Sequence, residues 1–336
     1  MLKAKGRTPP FRDAAGRPEP ASVAECGFLA LGGLDQWVLI RGRDTANPLV
    51  VVLHGGPGGS ETAVFRAYHA ALEDAFTMVY WDQRGAGRSY APTIPPETMT
   101  IDRFVADLDE LVDALRARFG GRKVILLGHS WGSVLGVLYA RRHPEKVAAY
   151  VGVGQVSDMA ASEEASYAFV LAEAERRGHR KAVAALKAIG PPPHEMKALA
   201  QQRRWLTALG GAMGPGGSLL KMTMRALNTP EASLWDLVRM VQGSIFSTKA
   251  MWSQLTPVNL IRDAARFEVP VVLVLGRHDM QVAAPVSAAY FEAIEAPAKT
   301  LVWLEDSGHF APFEEPEAFA RTMIDTVRPL AKASGA

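Results

Sequence analysis

Cysteine is almost missing from this chain: Cys26 is the only one in 336 residues. A single thiol cannot build an intrachain disulfide framework, so the fold must hold by packing, and a reducing, cytoplasmic setting is the expectation. No run of about 18 apolar residues occurs, which argues against a membrane-spanning helix. No block of five or more Lys or Arg occurs either, and 37 basic residues against 35 acidic ones leave a net charge of +2, so nothing in the charge pattern points to nucleic acid. The opening residues, Met1 to Arg7, lack the apolar stretch of a secretory leader. What remains is an ordinary globular composition, 48% hydrophobic and 21% charged, in a length that suits one large domain with an inserted lobe.

Residues 1–20 carry four prolines and many charges, and are expected to wander or to lie along the surface. Phe28 to Leu31 and Gln36 to Ile40 read as an opening antiparallel hairpin turning near Gly32-Gly33. Short apolar strands and helices then alternate. One predicted helix covers residues 101–119, with Phe104, Leu108, Leu111, Val112 and Leu115 at helical spacing and Gly120-Gly121 as its stop. Such alternation predicts an α/β fold: a mostly parallel central sheet flanked by helices, with ligands at the carboxyl ends of the strands. Between about 157 and 257 the strand patterns vanish. Helical segments over 163–177, 181–189, 194–209, 218–227 and 230–247 read as an all-helical cap inserted between two strands, or alternatively as an oligomerisation lobe. The expected division is therefore a core over 21–156 and 258–332 with a cap over 157–257.

The most specific signal lies where the run from Val124 meets Gly128-His129-Ser130-Trp131-Gly132 and helix formers follow. This is G-x-S-x-G at a strand-to-helix turn, the setting that holds a serine hydroxyl exposed on a strained backbone. Two further buried-strand patterns end in chemistry-bearing residues. Val269 to Gly276 leads into Arg277-His278-Asp279, and Thr300 to Leu304 into Glu305-Asp306-Ser307-Gly308-His309. Ser130, Asp279 and His309 thus follow one another at strand ends as nucleophile, acid and base. A serine hydroxyl is a poor nucleophile until an imidazole takes its proton, and the imidazole needs a carboxylate to fix its tautomer. His129, His278 and His54 compete for the base, and Asp306 and Asp158 for the acid; the first two histidines sit beside the nucleophile and the acid, and Asp306 is too close to His309 to reach around it.

Pro48 to Leu53 is an earlier apolar strand that runs into His54-Gly55-Gly56-Pro57-Gly58-Gly59. Glycines let the backbone approach a substrate closely, so the amides of Gly56 and Trp131 are the candidate oxyanion donors, with His54 as a structural hydrogen-bonder. A phosphate cradle is the alternative, and no Gly-Lys-Ser/Thr follows to support it. Asp82 and Arg84, in the turn after residues 77–81, read as braces of the core.

These motifs together resemble the α/β-hydrolase superfamily, and within it the prolyl iminopeptidases. The pieces are His54 to Gly59, Trp81-Asp82-Gln83-Arg84-Gly85-Ala86-Gly87-Arg88-Ser89, Gly128 to Ser133, Gly276 to Asp279 and Ser307 to His309, which together span about residues 50–310. The resemblance implies a serine hydrolase without metal or organic cofactor, with Ser130, Asp279 and His309 as its triad and Trp131 and Gly56 as its oxyanion donors. Prolyl iminopeptidases read a free N-terminal amine with acidic cap residues near a Trp-x-x-Trp-Glu type motif. That motif is not found here, and Glu163, Glu164, Glu195 and Glu231 are expected to face water. The Met and aromatic residues of the insert (Met213, Met222, Met224, Met240, Met251, Phe246, Trp205, Trp235 and Trp252) lean instead toward an apolar acyl pocket. The sequence therefore favours a carboxylesterase acting on a small to medium apolar ester or amide. The alternatives are an aminopeptidase of the prolyl iminopeptidase type acting on short peptides and, on the same fold, a non-catalytic ligand-binding protein. A homo-oligomer is open.

Overall fold

The structure, a computed structural model, describes residues 2, 3 and 6–336. Its centre is an eight-stranded sheet of β1 (Val23–Leu31), β2 (Leu34–Gly42), β3 (Leu49–Leu53), β4 (Thr77–Trp81), β5 (Val124–His129), β6 (Val147–Val153), β7 (Val271–Gly276) and β8 (Lys299–Leu304). The spatial order is β1-β2-β4-β3-β5-β6-β7-β8. β2 runs antiparallel to β1 and β4, and every other pairing is parallel. Every residue of β3 to β7 is buried. Parallel strands covered by helices on both faces need such continuous Val/Ile/Leu runs. The hairpin turns at Gly32 and Gly33, whose φ values of 56° and 76° suit a two-residue turn matched to strand twist.

Helices fill both faces. α1 (Thr62–His69) follows β3, α2 (Ile101–Arg118) follows β4 and α3 (Trp131–Arg142) follows β5. All five apolar positions expected along α2 are buried, and the Thr100 hydroxyl caps it by accepting from the Arg103 amide. Alternate side chains of each strand feed two cores. Val51, Leu53 and Leu126 join the face with Phe104, Leu108 and Val134; Val50, Val52 and Leu127 join the face with Phe65, Phe319 and Met323. β3 lies between β4 and β5, so the chain winds one way from β3 to β4 and the other way from β5 onward. That reversal opens a crevice at the carboxyl ends of β3 and β5.

Five long helices stand between β6 and β7: α4 (Met159–Arg176), α5 (Arg180–Ile189), α6 (Met196–Ala208), α7 (Leu219–Leu227) and α8 (Leu234–Leu255). α4, α5 and α6 share a core of their own that includes Val170, Leu186, Trp205 and Leu206. α8 begins later and ends later than its pattern suggests. A capping box of Ser233 and Asp236 starts it, and its polar Ser247 is a contact rather than a terminus. α9 (Leu260–Asp263) precedes β7, and α10 (Ala284–Ala293) lies between β7 and β8. The N-terminal segment lies along the surface. Lys3 exchanges backbone hydrogen bonds with Phe28 at 2.7 and 2.8 Å, and the Gly6 amide donates to Cys26 at 2.9 Å. Met1, Ala4 and Lys5, part of the same segment, lie outside the described residues. Among those described, no helix is long and apolar enough to cross a membrane.

Candidate active site

Ser130 is the single non-glycine residue with positive φ among those described, at φ 53° and ψ −121°. An L residue is held there only by its surroundings. Its amide donates to the Val153 carbonyl at 2.9 Å, and its own carbonyl accepts from the Ser133 amide at 2.8 Å and the Ser133 hydroxyl at 2.5 Å. The flanking glycines are required for two different reasons. A Cβ on Gly128 would lie 2.5 Å from the Gly132 carbonyl oxygen, across the turn. A Cβ on Gly132 would overlap the carbonyl oxygen of Leu53 on the neighbouring strand β3.

His309 and Asp279 meet. His309 Nδ1 donates to Asp279 Oδ2 at 2.8 Å, and both side chains are buried. The other carboxylate oxygen, Oδ1, accepts the amides of Gln281 and Val282 at 2.9 Å each, which fixes the acid's orientation. The rivals stand elsewhere. Asp158 caps α4 and accepts from Asn259, and Asp306 is exposed. Gly154, which the sequence reading passed over, forms the back of this pair: at φ 50° it leaves room where a Cβ would sit 3.1 Å from the His309 ring and 3.4 Å from Asp279 Oδ2. Its signal was its place just past β6.

The loop after β3 carries Gly55 and Gly56 to the mouth of the same crevice. A Cβ on Gly55 would come 3.1 Å from Ser130 Cβ. Among the described residues neither the Gly56 amide nor the Trp131 amide donates to a protein acceptor, as two donors reserved for a ligand oxygen would be left. α8 holds this loop down: the hydroxyls of Ser244 and Thr248 donate to the carbonyls of Gly58 and Pro57 at 3.2 and 3.4 Å. His54 has the structural role expected of it. Its Nε2 accepts the Gln83 amide at 3.1 Å, so Nδ1 carries the proton and donates to the Gly55 carbonyl at 2.8 Å. Burial holds its imidazole below the ordinary range. Arg84 pairs with Asp107 at 2.8 Å as a buried brace, while Asp82 accepts the hydroxyls of Ser60 and Thr62 and the Arg88 amide.

His129 is more than a spacer in the elbow. It is buried, with Nδ1 2.5 Å from Glu61 Oε1 and Nε2 2.8 Å from the His309 carbonyl oxygen. Both neighbours are acceptors when Glu61 is ionised, so the ring donates at both nitrogens. Burial alone would lower this imidazole, but the Glu61 carboxylate and the His309 carbonyl outweigh it and the net shift is upward.

Ser130 and His309 open into a cavity of about 470 Å³. One wall is apolar, with Leu219, Met222, Leu237, Met240, Phe310 and Phe313. Of the nine Met and aromatic residues singled out in the insert only Met222 and Met240 line it; Trp205 belongs to the core of α4 to α6, and Trp235 is 71% exposed. The other wall is acidic: Glu61, Asp82, Glu231 and Asp236 line the cavity against a single arginine, Arg88, which pairs with Asp236 at 2.7 Å. Glu231, expected to face water, is 5% exposed at its side chain. Glu163 is buried against Arg203 outside the cavity, and Glu195 precedes α6.

Comparison with known proteins agrees with this architecture. A family model described as the alpha/beta hydrolase fold matches residues 48–316. A Bacillus subtilis (strain 168) protein named probable aminopeptidase YbaC is 32% identical over 91% of this chain and 97% of its own. The proline iminopeptidase of Lactobacillus helveticus is 34% identical over a shorter stretch, 36% of this chain and 40% of its own. Among solved structures, a proline iminopeptidase-related protein of Thermus thermophilus superposes with a TM-score of 0.68 at 21% identity, covering 93% of this chain and 99% of that one. The chain belongs to the α/β-hydrolase family, in its proline iminopeptidase-like branch.

Proposed function

We propose that this hydrolase is an aminopeptidase of the serine type, releasing an N-terminal residue such as proline from short peptides or amides. Ser130 is the nucleophile, His309 the base and Asp279 the group that orients and charges His309. His309 Nε2 takes the hydroxyl proton as Oγ attacks the scissile carbonyl carbon, and the oxygen of the tetrahedral intermediate lies between the amides of Trp131 and Gly56. Each such donor is worth about 3 kcal/mol to the transition state. The proton passes from His309 to the departing amine, and water releases the acyl group from Ser130 by the same route. Nothing in this scheme calls on a metal or an organic cofactor.

The observation that carries the peptidase reading over the esterase one is the acidic wall. Glu231 is matched by Arg66 and Arg41, Asp236 by Arg88 and one Glu61 oxygen by His129, but Asp82 pairs with no cationic side chain among the described residues and Glu61 Oε2 has no partner, which suits a substrate that brings a positive charge. A neutral ester would bring no cationic donor to that Glu61 oxygen or to Asp82. The aminopeptidase and iminopeptidase names borne by the relatives support the same choice. The apolar wall then takes the side chain or the pyrrolidine ring. The test compares proline p-nitroanilide with p-nitrophenyl butyrate, in wild type and in Ser130→Ala. The expected result is anilide cleavage that falls by three decades or more in the variant. Ester turnover without anilide cleavage would return the reading to a carboxylesterase.

A further inference from the structure

One group in the cavity plays no part in that scheme. Glu61 occupies the N-cap position of α1, yet its side chain makes no capping hydrogen bond. The carboxylate turns toward the sheet instead. Oε1 meets His129 Nδ1 at 2.5 Å, and Oε2 is buried with no protein partner. The residue is 8% exposed and lines the cavity. A buried carboxylate oxygen left unpaired is unfavourable by about 1–3 kcal/mol, and more when charged, so such an atom at a ligand cavity marks a bond the ligand completes.

Glu61 also lies within reach of a group bound to the nucleophile. A Cβ on Gly55 would crowd both groups, 3.1 Å from Ser130 Cβ and 3.4 Å from Glu61 Oε1, so nucleophile and carboxylate lie on either side of the Gly55 backbone, no more than about 6.5 Å apart. The α-nitrogen of an aminoacyl group on Ser130 Oγ stands four bonds from Ser130 Cβ, about 5 Å away when extended. A charge-assisted hydrogen bond adds about 2.8 Å. We propose that Glu61 receives the free α-ammonium, or the secondary ammonium of proline, of the acyl residue held at Ser130, and that this contact sets the requirement for an unblocked N-terminus. This rests on the aminopeptidase reading above.

Asp82 strengthens the site: its carboxylate lies on the same wall, and among the described residues no cationic side chain pairs with it. Glu231 is the rival, since its Oε2 is also unpartnered. Two arginines flank it, Arg66 at 3.4 Å and Arg41 at 4.0 Å, and the Thr8 hydroxyl donates to Oε1 at 2.5 Å, whereas Glu61 faces the single imidazole of His129. Glu61 also sits on the strand-end loop that carries the oxyanion glycines, so the anchor is fixed to the nucleophile rather than to the inserted helices.

The experiment uses two substrates that differ only in the amine, L-alanine p-nitroanilide and propionyl p-nitroanilide. It reads the ratio of their kcat/KM within each protein, which is independent of the fraction folded. In Glu61→Gln the ratio should fall about 100-fold, the loss of one charge-assisted hydrogen bond, and mainly through KM for the alanine substrate. Should that variant not fold, Glu61→Asp carries the test, and its shorter carboxylate must lower the ratio at least threefold. Equal loss on both substrates, or an unchanged ratio, overturns the assignment. A ratio that survives Glu61→Gln and collapses in Glu231→Gln moves the anchor to the insert and leaves the aminopeptidase standing. A wild-type ratio near one overturns both.

Discussion

Two imidazoles share the buried site, with ring centroids 4.9 Å apart, and their partners give them different tasks. His309 bonds Asp279 through Nδ1, which leaves Nε2 free for the proton transfer proposed above; His129 uses both nitrogens, one on Glu61 and one on the His309 backbone. A third histidine shows what burial does without a carboxylate. His69 packs among the rings of Phe65, Phe313 and Phe319 and donates from Nε2 to the Pro312 carbonyl at 2.7 Å. Burial pushes its pKa down from 6.5 to about 4. A depressed histidine stabilises the fold fully above its unfolded value and loses that contribution as pH falls through the folded one. Between pH 6.5 and 4 the wild type should therefore lose roughly 3 kcal/mol through this group alone. Urea midpoints across that window, compared with His69→Gln, should show a steeper acid slope for the wild type; equal slopes would rule the effect out. The placing of Ser130, Asp279 and His309 at strand ends, and so the meeting of His309 with Asp279, was legible in the sequence because each follows an apolar strand run. Glu61 was not, because an acid one residue before a helix reads as a cap, and only the fold reveals that its carboxylate turns away from the helix to His129.

At the scale of elements, the site depends on how closely α3 seats against β3. The Cβ of an alanine at 132 would overlap the Leu53 carbonyl oxygen and lie 2.5 Å from its carbonyl carbon, both backbone atoms that cannot rotate aside. Gly132→Ala should destabilise the protein by roughly 3 kcal/mol or more, since helix and strand must separate. Gly121→Ala is the control. Its φ of 76° is unfavourable for alanine, unlike the helical backbone of Gly132, but nothing lies within 4 Å of the added methyl, so only about 1–2 kcal/mol should be lost. Thermal melts of the two variants separate close packing from backbone strain; similar losses would contradict the seating argument. α8 shows where sequence patterning fell short. Gly243 and Ser247 are weak helix formers by propensity, and they are small because the helix crosses the loop at Gly85 there, with the Ser247 hydroxyl donating to the Gly85 carbonyl at 3.0 Å. Strand ends are marked by local composition, whereas a helix that docks on a loop some 160 residues away carries no local mark of its partner.

Across the whole molecule, near-neutrality hides a polarised interior. The chain carries a net charge of +2, yet the cavity wall beside Ser130 is acidic. The sheet explains how such a wall forms: the reversal of strand order between β3 and β5 brings the loop of Gly55 to Glu61, the turn after β4 with Asp82 and the Ser130 elbow to one edge. Net charge sums over the whole chain and cannot register this, and the ester leaning of the sequence rested on Met and aromatic residues of which only Met222 and Met240 line the cavity. Both readings share one claim, that Ser130 is the nucleophile. The most direct measurement is intact-protein mass after treatment with a fluorophosphonate, followed by peptide mapping. The account predicts one adduct per chain, located on Ser130 and absent from Ser130→Ala. An adduct on another residue, or none in protein that turns over substrate, would contradict it.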